Sequence, residues 1–217
     1  AGVKCDLCPR KCLVDRKKGE KGICGQTENL KVARAALHFW EEPCISGDAG
    51  SGAVFFSGCP LHCVFCQNEN IANGTVGKEI SLERLVNIFL ELQEKEANNI
   101  NLVTPGHFVP QIVKALDQAK KEGLTLPVVY NTSSYETVDT IRMLDGYVDI
   151  YLPDFKYMSP VLSKKYSHAL DYAQVAKAAI AEMVRQTGKA VFVNGDEDNL
   201  ILRGTIVRHL TLPGCME

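Results

Sequence analysis

"GAVFFSGCPLHCVFCQN", residues 52–68, decides how the rest of the chain is read. Its first half is an apolar, β-prone run ending at Gly58, and its second half spaces Cys59, Cys63 and Cys66 as Cys-x3-Cys-x2-Cys. A run of that kind stopped by glycine predicts a strand, so the three thiols fall in the loop past its carboxyl end. The missing fourth ligand leaves two readings. Either His62 or Cys44 closes a tetrahedral zinc site, or three thiols hold a cluster with one iron left open for a substrate.

Composition narrows the setting. The 217 residues are 46% apolar and 23% charged, which suits one substantial core plus an appendage. The net charge of −2 arises from mixed signs along the chain, giving no electrostatic footprint for nucleic acid or an anionic membrane. No apolar run reaches the ~18 residues of a membrane span. The opening AGVKCDLCPRKC lacks the apolar centre of a signal peptide, so a cytoplasmic location is expected. In a reducing compartment nine cysteines point to metal rather than to disulfides.

Four of them, Cys5, Cys8, Cys12 and Cys24, crowd the start in "CDLCPRKCLVDRKKGEKGICG". The apolar residues there are too few to build a core, so this segment is expected to depend on a bound metal. Four thiolates suit either tetrahedral zinc or an iron–sulfur cluster, and spacing does not choose between them. Residues 1–50 are therefore taken as a cysteine-rich segment and lead-in, and 51–217 as the main domain. Cys44 and Cys215 stand apart and read as free buried cysteines, while Trp40 and Met143 read as packing.

Beyond the cysteine loop, apolar strands alternate with amphipathic helices, the pattern of a β/α barrel or part of one. Residues 81–98 give a helix with Ser81 as its N-cap and Leu82, Leu85, Val86, Phe89 and Leu92 on one face. "INLVTP" follows as a strand; then comes a helix over 109–123, with Pro110 in its first turn and Gly123 as its stop. "PVVYNT" and "VDIYLPDF" are further strands flanking a helix over 135–144, and 159–188 is helical. "KAVFVNGDEDNLILRG" reads as a hairpin or extended excursion centred on Asn194 and Gly195, with "TIVRHLTLPG" as a fifth strand.

In such a scaffold functional groups gather at the carboxyl ends of strands. Thr104, Asn131 and Thr132 occupy such ends, and period-two alternation sets Asp154 and Lys156 on one face of theirs. A structural ion pair is the plain reading of those two; a ligand-binding pair is the functional one. Arg208 and His209 are adjacent in the fifth strand, so only one of them faces inward.

With these motifs in order, the sequence resembles the radical S-adenosylmethionine (SAM) superfamily, close to the pyruvate formate-lyase activating enzymes. It is most similar to a branch with an amino-terminal "CxLCPRxC…GxCG" segment. The resemblance runs through "EEPCISG", "FFSGCPLHCVFCQN", "NINLVTPGHFVPQI", "VVYNTSSYE", "IYLPDFKY", "YSHALDY" and "IVRHLTLPG". It implies that Cys59, Cys63 and Cys66 hold a 4Fe-4S cluster whose fourth iron chelates SAM. Reductive cleavage then gives a 5′-deoxyadenosyl radical, which in activating enzymes takes hydrogen from a glycine of a partner protein. It also implies an electron donor such as flavodoxin or ferredoxin, and a glycyl radical enzyme or other protein as substrate. Asn131, Asp154, Lys156 and Arg208 match the family's cofactor-binding positions, which makes Arg208 the inward-facing residue.

Two departures from the family pattern stand out. Its Gly-Gly-Glu segment is replaced by "VTPGH", so Thr104, with His107, takes over that contact without the carboxylate. The chain also stops just after Pro213 and Gly214, where the family continues. If the chain is whole, the expected fold is a truncated partial barrel with one edge exposed. The competing expectation is a truncated, non-catalytic protein binding zinc or an iron–sulfur cluster.

Overall fold

The computed structural model describes residues 4–196 and 199–214; Cys215 lies outside them. Nine strands form one mixed sheet: β1 (Lys31–His38), β2 (Ser51–Phe56), β3 (Lys78–Glu79), β4 (Ile100–Val103), β5 (Val128–Thr132), β6 (Ile150–Phe155), β7 (Val191–Phe192), β8 (Ile201–Thr205) and β9 (Arg208–His209). Seven α-helices accompany them: α1 (Pro43–Ser46), α2 (Glu69–Ala72), α3 (Leu82–Glu94), α4 (Val109–Lys121), α5 (Val138–Arg142), α6 (Pro160–Ser167) and α7 (Tyr172–Thr187).

Strands β2, β4, β5 and β6 run parallel and adjacent in that order, as expected for β/α units. Connections by α3, α4 and α5 carry the chain from one to the next. The Ser81 hydroxyl caps α3 by accepting from the Arg84 amide, and Thr137 and Ser159 cap α5 and α6 in the same way. In α3, before β4, and α4, between β4 and β5, the faces expected to be apolar are the buried ones, with Leu85, Val86, Phe89, Ile112 and Leu116 fully covered. They pack with Val54, Ile100, Leu102, Val128 and Tyr151 into the main core.

Three features differ from the sequence expectations. The lead-in before residue 51 contains β1, which pairs antiparallel with β2 and extends the sheet outward to β3. "KVARAALH" carries no period-two alternation, and its strand character comes from a partner rather than from its own pattern. The region expected to be helical over 159–188 holds two helices with a break at 168–171, because His168 takes a left-handed conformation (φ 52°) and ends α6. The fifth parallel strand begins earlier than Thr205. β7 and β8 are the arms of the expected hairpin, and β8 is itself the parallel neighbour of β6, with β9 continuing along it. Glu197 and Asp198 lie outside the described residues.

The strand order β3-β1-β2-β4-β5-β6-β8-β7 leaves β3 and β7 as the ends of an open sheet among the described residues. Met143 is not core, being 42% exposed on the turn after α5. No helix of the described residues is long and apolar enough to cross a membrane.

Candidate active site

The carboxyl ends of the parallel strands open onto one cavity of about 620 Å³. The loop after β2 brings Cys59, Cys63 and Cys66 to its wall; β4 leads to Thr104, β5 contributes Asn131 and Thr132, β6 contributes Asp154 and leads to Lys156, and β9 contributes Arg208. Nine residues scattered over 150 positions of sequence thus meet because parallel strands share one carboxyl edge. Thr104 sits there with φ 55°, a conformation that strains a β-branched residue, and its amide donates to the Asn131 carbonyl at 2.9 Å.

The cysteine loop is held from several sides. The Leu61 amide lies 3.4 Å from Cys59 Sγ and the Ser167 hydroxyl donates to Cys63 Sγ at 3.1 Å. Burial pushes the Cys59 thiol up to about 11, with Cys63 and Cys66 adding to the rise. Burial also raises Cys63, while Ser167 and the Lys156 charge favour its thiolate. His62 is not a fourth ligand: its ring nitrogens lie 3.2 Å from Asn73 Oδ1 and 2.8 Å from the Ile23 carbonyl. Cys44 lies apart, packed with Ile45, Val129 and Ile150 on another patch of core. Among the described residues no three of His, Cys, Asp or Glu are arranged to hold a single metal ion.

Across the cavity the polar side chains form a connected network. Asp154 accepts from Lys156 Nζ at 2.7 Å and from Arg208 Nε at 2.8 Å. Arg208 also donates to Asn131 Oδ1 at 2.7 Å and to Glu41 Oε1 at 3.0 Å. Glu41 Oε2 in turn accepts from Asn101 and Asn131, at 2.9 and 3.0 Å. Burial opposes the Arg208 charge, but Asp154, Glu42 and Glu41 beside it prevail and raise its pKa. Behind the network, the Tyr172 hydroxyl accepts from the Lys156 amide at 2.9 Å and lies 2.8 and 2.9 Å from the Ser133 and Asp154 carbonyls. That buried tyrosine fixes the turn bearing both charges.

The sequence profile of the Radical SAM superfamily matches residues 53–198, which span the cysteine loop and all four parallel strands from β2 to β6. The chain belongs to the radical SAM superfamily. An uncharacterized protein of Methanocaldococcus jannaschii is 27% identical over 220 residues, covering 98% of this chain and 58% of that protein. The chain therefore spans a little over half the length of that relative.

Membership in the radical SAM superfamily implies a 4Fe-4S cluster and SAM. The donor set suits them: three thiols face one cavity without a fourth protein ligand, and charged and amide groups of both signs line the opposite wall. Several residues of this radical SAM cavity were not anticipated from the sequence. Glu41, in a loop read as packing, holds Arg208 and two asparagines; nothing in "HFWEEP" signals this. Trp40 is not packed but stands 89% exposed on the cavity rim. His107 is not on the cavity at all. It is buried, its Nε2 lies 2.7 Å from the Ser57 carbonyl, and burial lowers its pKa to about 3, so it is neutral. A fully buried carboxyl, Glu136, accepts from Thr132 and Tyr130 while its other oxygen has no partner, and burial raises its pKa to about 7.

The amino-terminal cysteines sit against the same loop. Cys8 and Cys24 are buried, Cys5 and Cys12 partly so, and burial pushes the Cys8 thiol up to about 12. Arg16 donates to the His107 carbonyl and lies over the Phe108 ring, 5.4 Å from its centroid. Gly58, at φ 88°, lets the Cys24 carbonyl approach so closely that a Cβ there would fall 2.4 Å from its oxygen.

Proposed function

We propose that this chain performs the cofactor chemistry of a radical SAM activating enzyme, with Cys59, Cys63 and Cys66 as the cluster ligands. The observation that carries the reading is the cavity itself. Three thiols without a fourth protein ligand and the side chains of Thr104, Asn131, Asp154, Lys156 and Arg208 line the same space. When bound, the cluster and SAM supply a one-electron reductive cleavage that yields methionine and a 5′-deoxyadenosyl radical.

The chain's own groups do the positioning. Lys156 and Arg208 offer cationic donors to a carboxylate, and Asp154 offers an acceptor to an ammonium group. Asn131 offers amide contacts at the strand end, and the strained Thr104 backbone exposes its hydroxyl side to the cavity. The strand ends and the cysteine loop border the cavity in which the reacting atoms would sit.

The finer assignments belong to the same reading. The fold is a partial β/α barrel, the electron comes from a flavodoxin or ferredoxin in the cytoplasm, and hydrogen is taken from a glycyl radical enzyme or another protein. Cys5, Cys8, Cys12 and Cys24 hold a second metal, zinc or an iron–sulfur cluster. The nearness of these thiols to one another, with Cys8 and Cys24 buried and Cys5 and Cys12 partly so, supports it.

The test is anaerobic reconstitution with iron and sulfide, followed by reduction, addition of SAM and assay for 5′-deoxyadenosine. The expected result is cleavage that Cys63→Ala abolishes. Cleavage unchanged in Cys63→Ala overturns the ligand assignment, and zinc bound with no cluster overturns the enzymatic reading.

A further inference from the structure

The ligands of the cysteine loop are not equally treated by the fold. Cys59 receives a backbone amide, from Leu61, whereas Cys63 receives a side-chain hydroxyl delivered from far along the chain. That donor, Ser167, is fully buried at the last position of α6. A helical serine ordinarily returns its hydroxyl to a carbonyl one turn back or to solvent. Ser167 instead reaches across 104 residues of sequence to Cys63 Sγ at 3.1 Å.

The neighbouring tyrosine hydroxyl completes this hydrogen bond. The Tyr157 hydroxyl lies 2.7 Å from Ser167 Oγ. A serine hydroxyl has one proton; when it is given to sulfur, the tyrosine must be the donor to the serine oxygen. Tyr157 is buried between Phe65 and Tyr172, with ring centroids 6.3 and 5.2 Å away, so its hydroxyl cannot swing out to water. The result is a chain from Tyr157 through Ser167 to Cys63.

Arg10 locks both ends of the contact. Its guanidinium donates to the Pro60 carbonyl at 2.9 Å, within the cysteine loop, and to the Ser167 and His168 carbonyls at 2.8 and 2.6 Å. It also lies over the Tyr135 ring, 5.1 Å from the centroid. A planar fork of donors suits three fixed carbonyls, where a lysine would make fewer bonds. The loop bearing the ligand and the helix end bearing the donor are thus tied to one another by a residue of the amino-terminal cysteine segment.

Hydrogen bonds to cluster sulfurs help to set reduction potential. A donated proton stabilises the more negative, reduced form more than the oxidised one, and does so strongly in a dry site. We propose that the Tyr157–Ser167 hydroxyl pair, held in register by Arg10, raises the reduction potential of the cluster through Cys63. Ser167, Tyr157 and Arg10 are then positioning residues that make the cluster easier to charge with its electron. This inference rests on Cys63 being a cluster ligand.

The measurement is the midpoint potential of the reconstituted full chain, by anaerobic redox titration followed by electron paramagnetic resonance, with iron and sulfide content determined for every sample. Ser167→Ala is expected to shift the oxidised-to-reduced balance about tenfold toward oxidised, a fall of ~59 mV for a one-electron couple. Ser167→Thr, which keeps the hydroxyl, should return the potential to within a few-fold of the parent, and Tyr157→Phe should lower it by a smaller step. An unchanged potential in Ser167→Ala with full iron and sulfide overturns the inference while leaving the cluster reading intact. Should Ser167→Ala lose the cluster, Tyr157→Phe decides, and an unchanged potential there overturns the inference. Cluster content unaffected by Cys63→Ala would instead overturn the reading beneath it.

Discussion

Gly58 joins β2 to Cys59, and replacing it by alanine tests how the amino-terminal segment is docked on the cysteine loop. Its φ of 88° costs an L-residue roughly 1–2 kcal/mol. The added Cβ would also stand 2.4 Å from the Cys24 carbonyl oxygen and 2.6 Å from Gln26 Cγ. A side-chain end can rotate away, but a backbone carbonyl cannot, so the segment must shift. Overpacking of that kind costs about 1–3 kcal/mol. Gly19 supplies the control, because its φ of 84° is nearly the same and nothing lies within 4 Å of its Cβ position. Gly19→Ala should therefore cost the backbone strain alone, and Gly58→Ala about 1–3 kcal/mol more. With a urea m-value of ~3 kcal/mol/M, the two midpoints should differ by roughly 0.3–1 M. Equal midpoints would refute the idea that the four-cysteine segment and the cysteine loop are tightly packed.

Other consequences can be checked independently. Glu136 has a folded pKa of about 7 against an ordinary value of 4.5, so between those values the native state binds more protons than the unfolded chain. Stability should fall as pH rises from about 4.5 to about 7, and Glu136→Gln should remove about 3 kcal/mol of that fall in urea titrations across the window. A slope unchanged by the substitution would rule out this carboxyl as its source. Glu41→Gln replaces an acceptor of three donors with a group that also donates. SAM affinity measured by calorimetry should weaken roughly ten- to a hundredfold with iron content unaltered. Lys156→Ala should likewise weaken SAM binding at least tenfold without loss of iron; a variant that cannot retain the cluster would assign Lys156 to folding instead.

Much of the scaffold was legible because its signals are local. Ser81 caps α3 and the apolar stripes of α3 and α4 are those that face the core, since capping and 3.6-residue periodicity depend on near neighbours alone. Asn131 reads as a strand end and alternation places Asp154, whereas alternation alone leaves Arg208 and His209 undivided and only the family resemblance chooses Arg208. The unexpected features are those decided at long range. β1 is a strand because β2 accepts it, and Glu41 is part of the cavity because Arg208 arrives 167 residues later. His107 looked available in "VTPGH", yet the turn after β4 rotates it beneath Ser57, away from the cavity. A Cβ on Gly106 would stand 2.4 Å from Glu136 Oε2, across 30 residues of sequence. None of these relations has a spacing that a single sequence displays.

The span of the Arg10 contacts bears on how the protein is made. One partner, the Pro60 carbonyl, lies 50 residues ahead of it and another, the His168 carbonyl, 158 residues ahead. At ~5–20 residues per second of synthesis, the second partner leaves the ribosome roughly 8–30 s after the arginine. For most of that interval the segment with Cys5, Cys8, Cys12 and Cys24 is outside the ribosome while α6, the helix it will hold, is not. Its thiols are at their most accessible to oxidants and to free metal in those seconds, and burial of Cys8 and Cys24 against the finished domain closes the window. The order of synthesis therefore leaves these four thiols uncovered before the cavity at the strand ends exists.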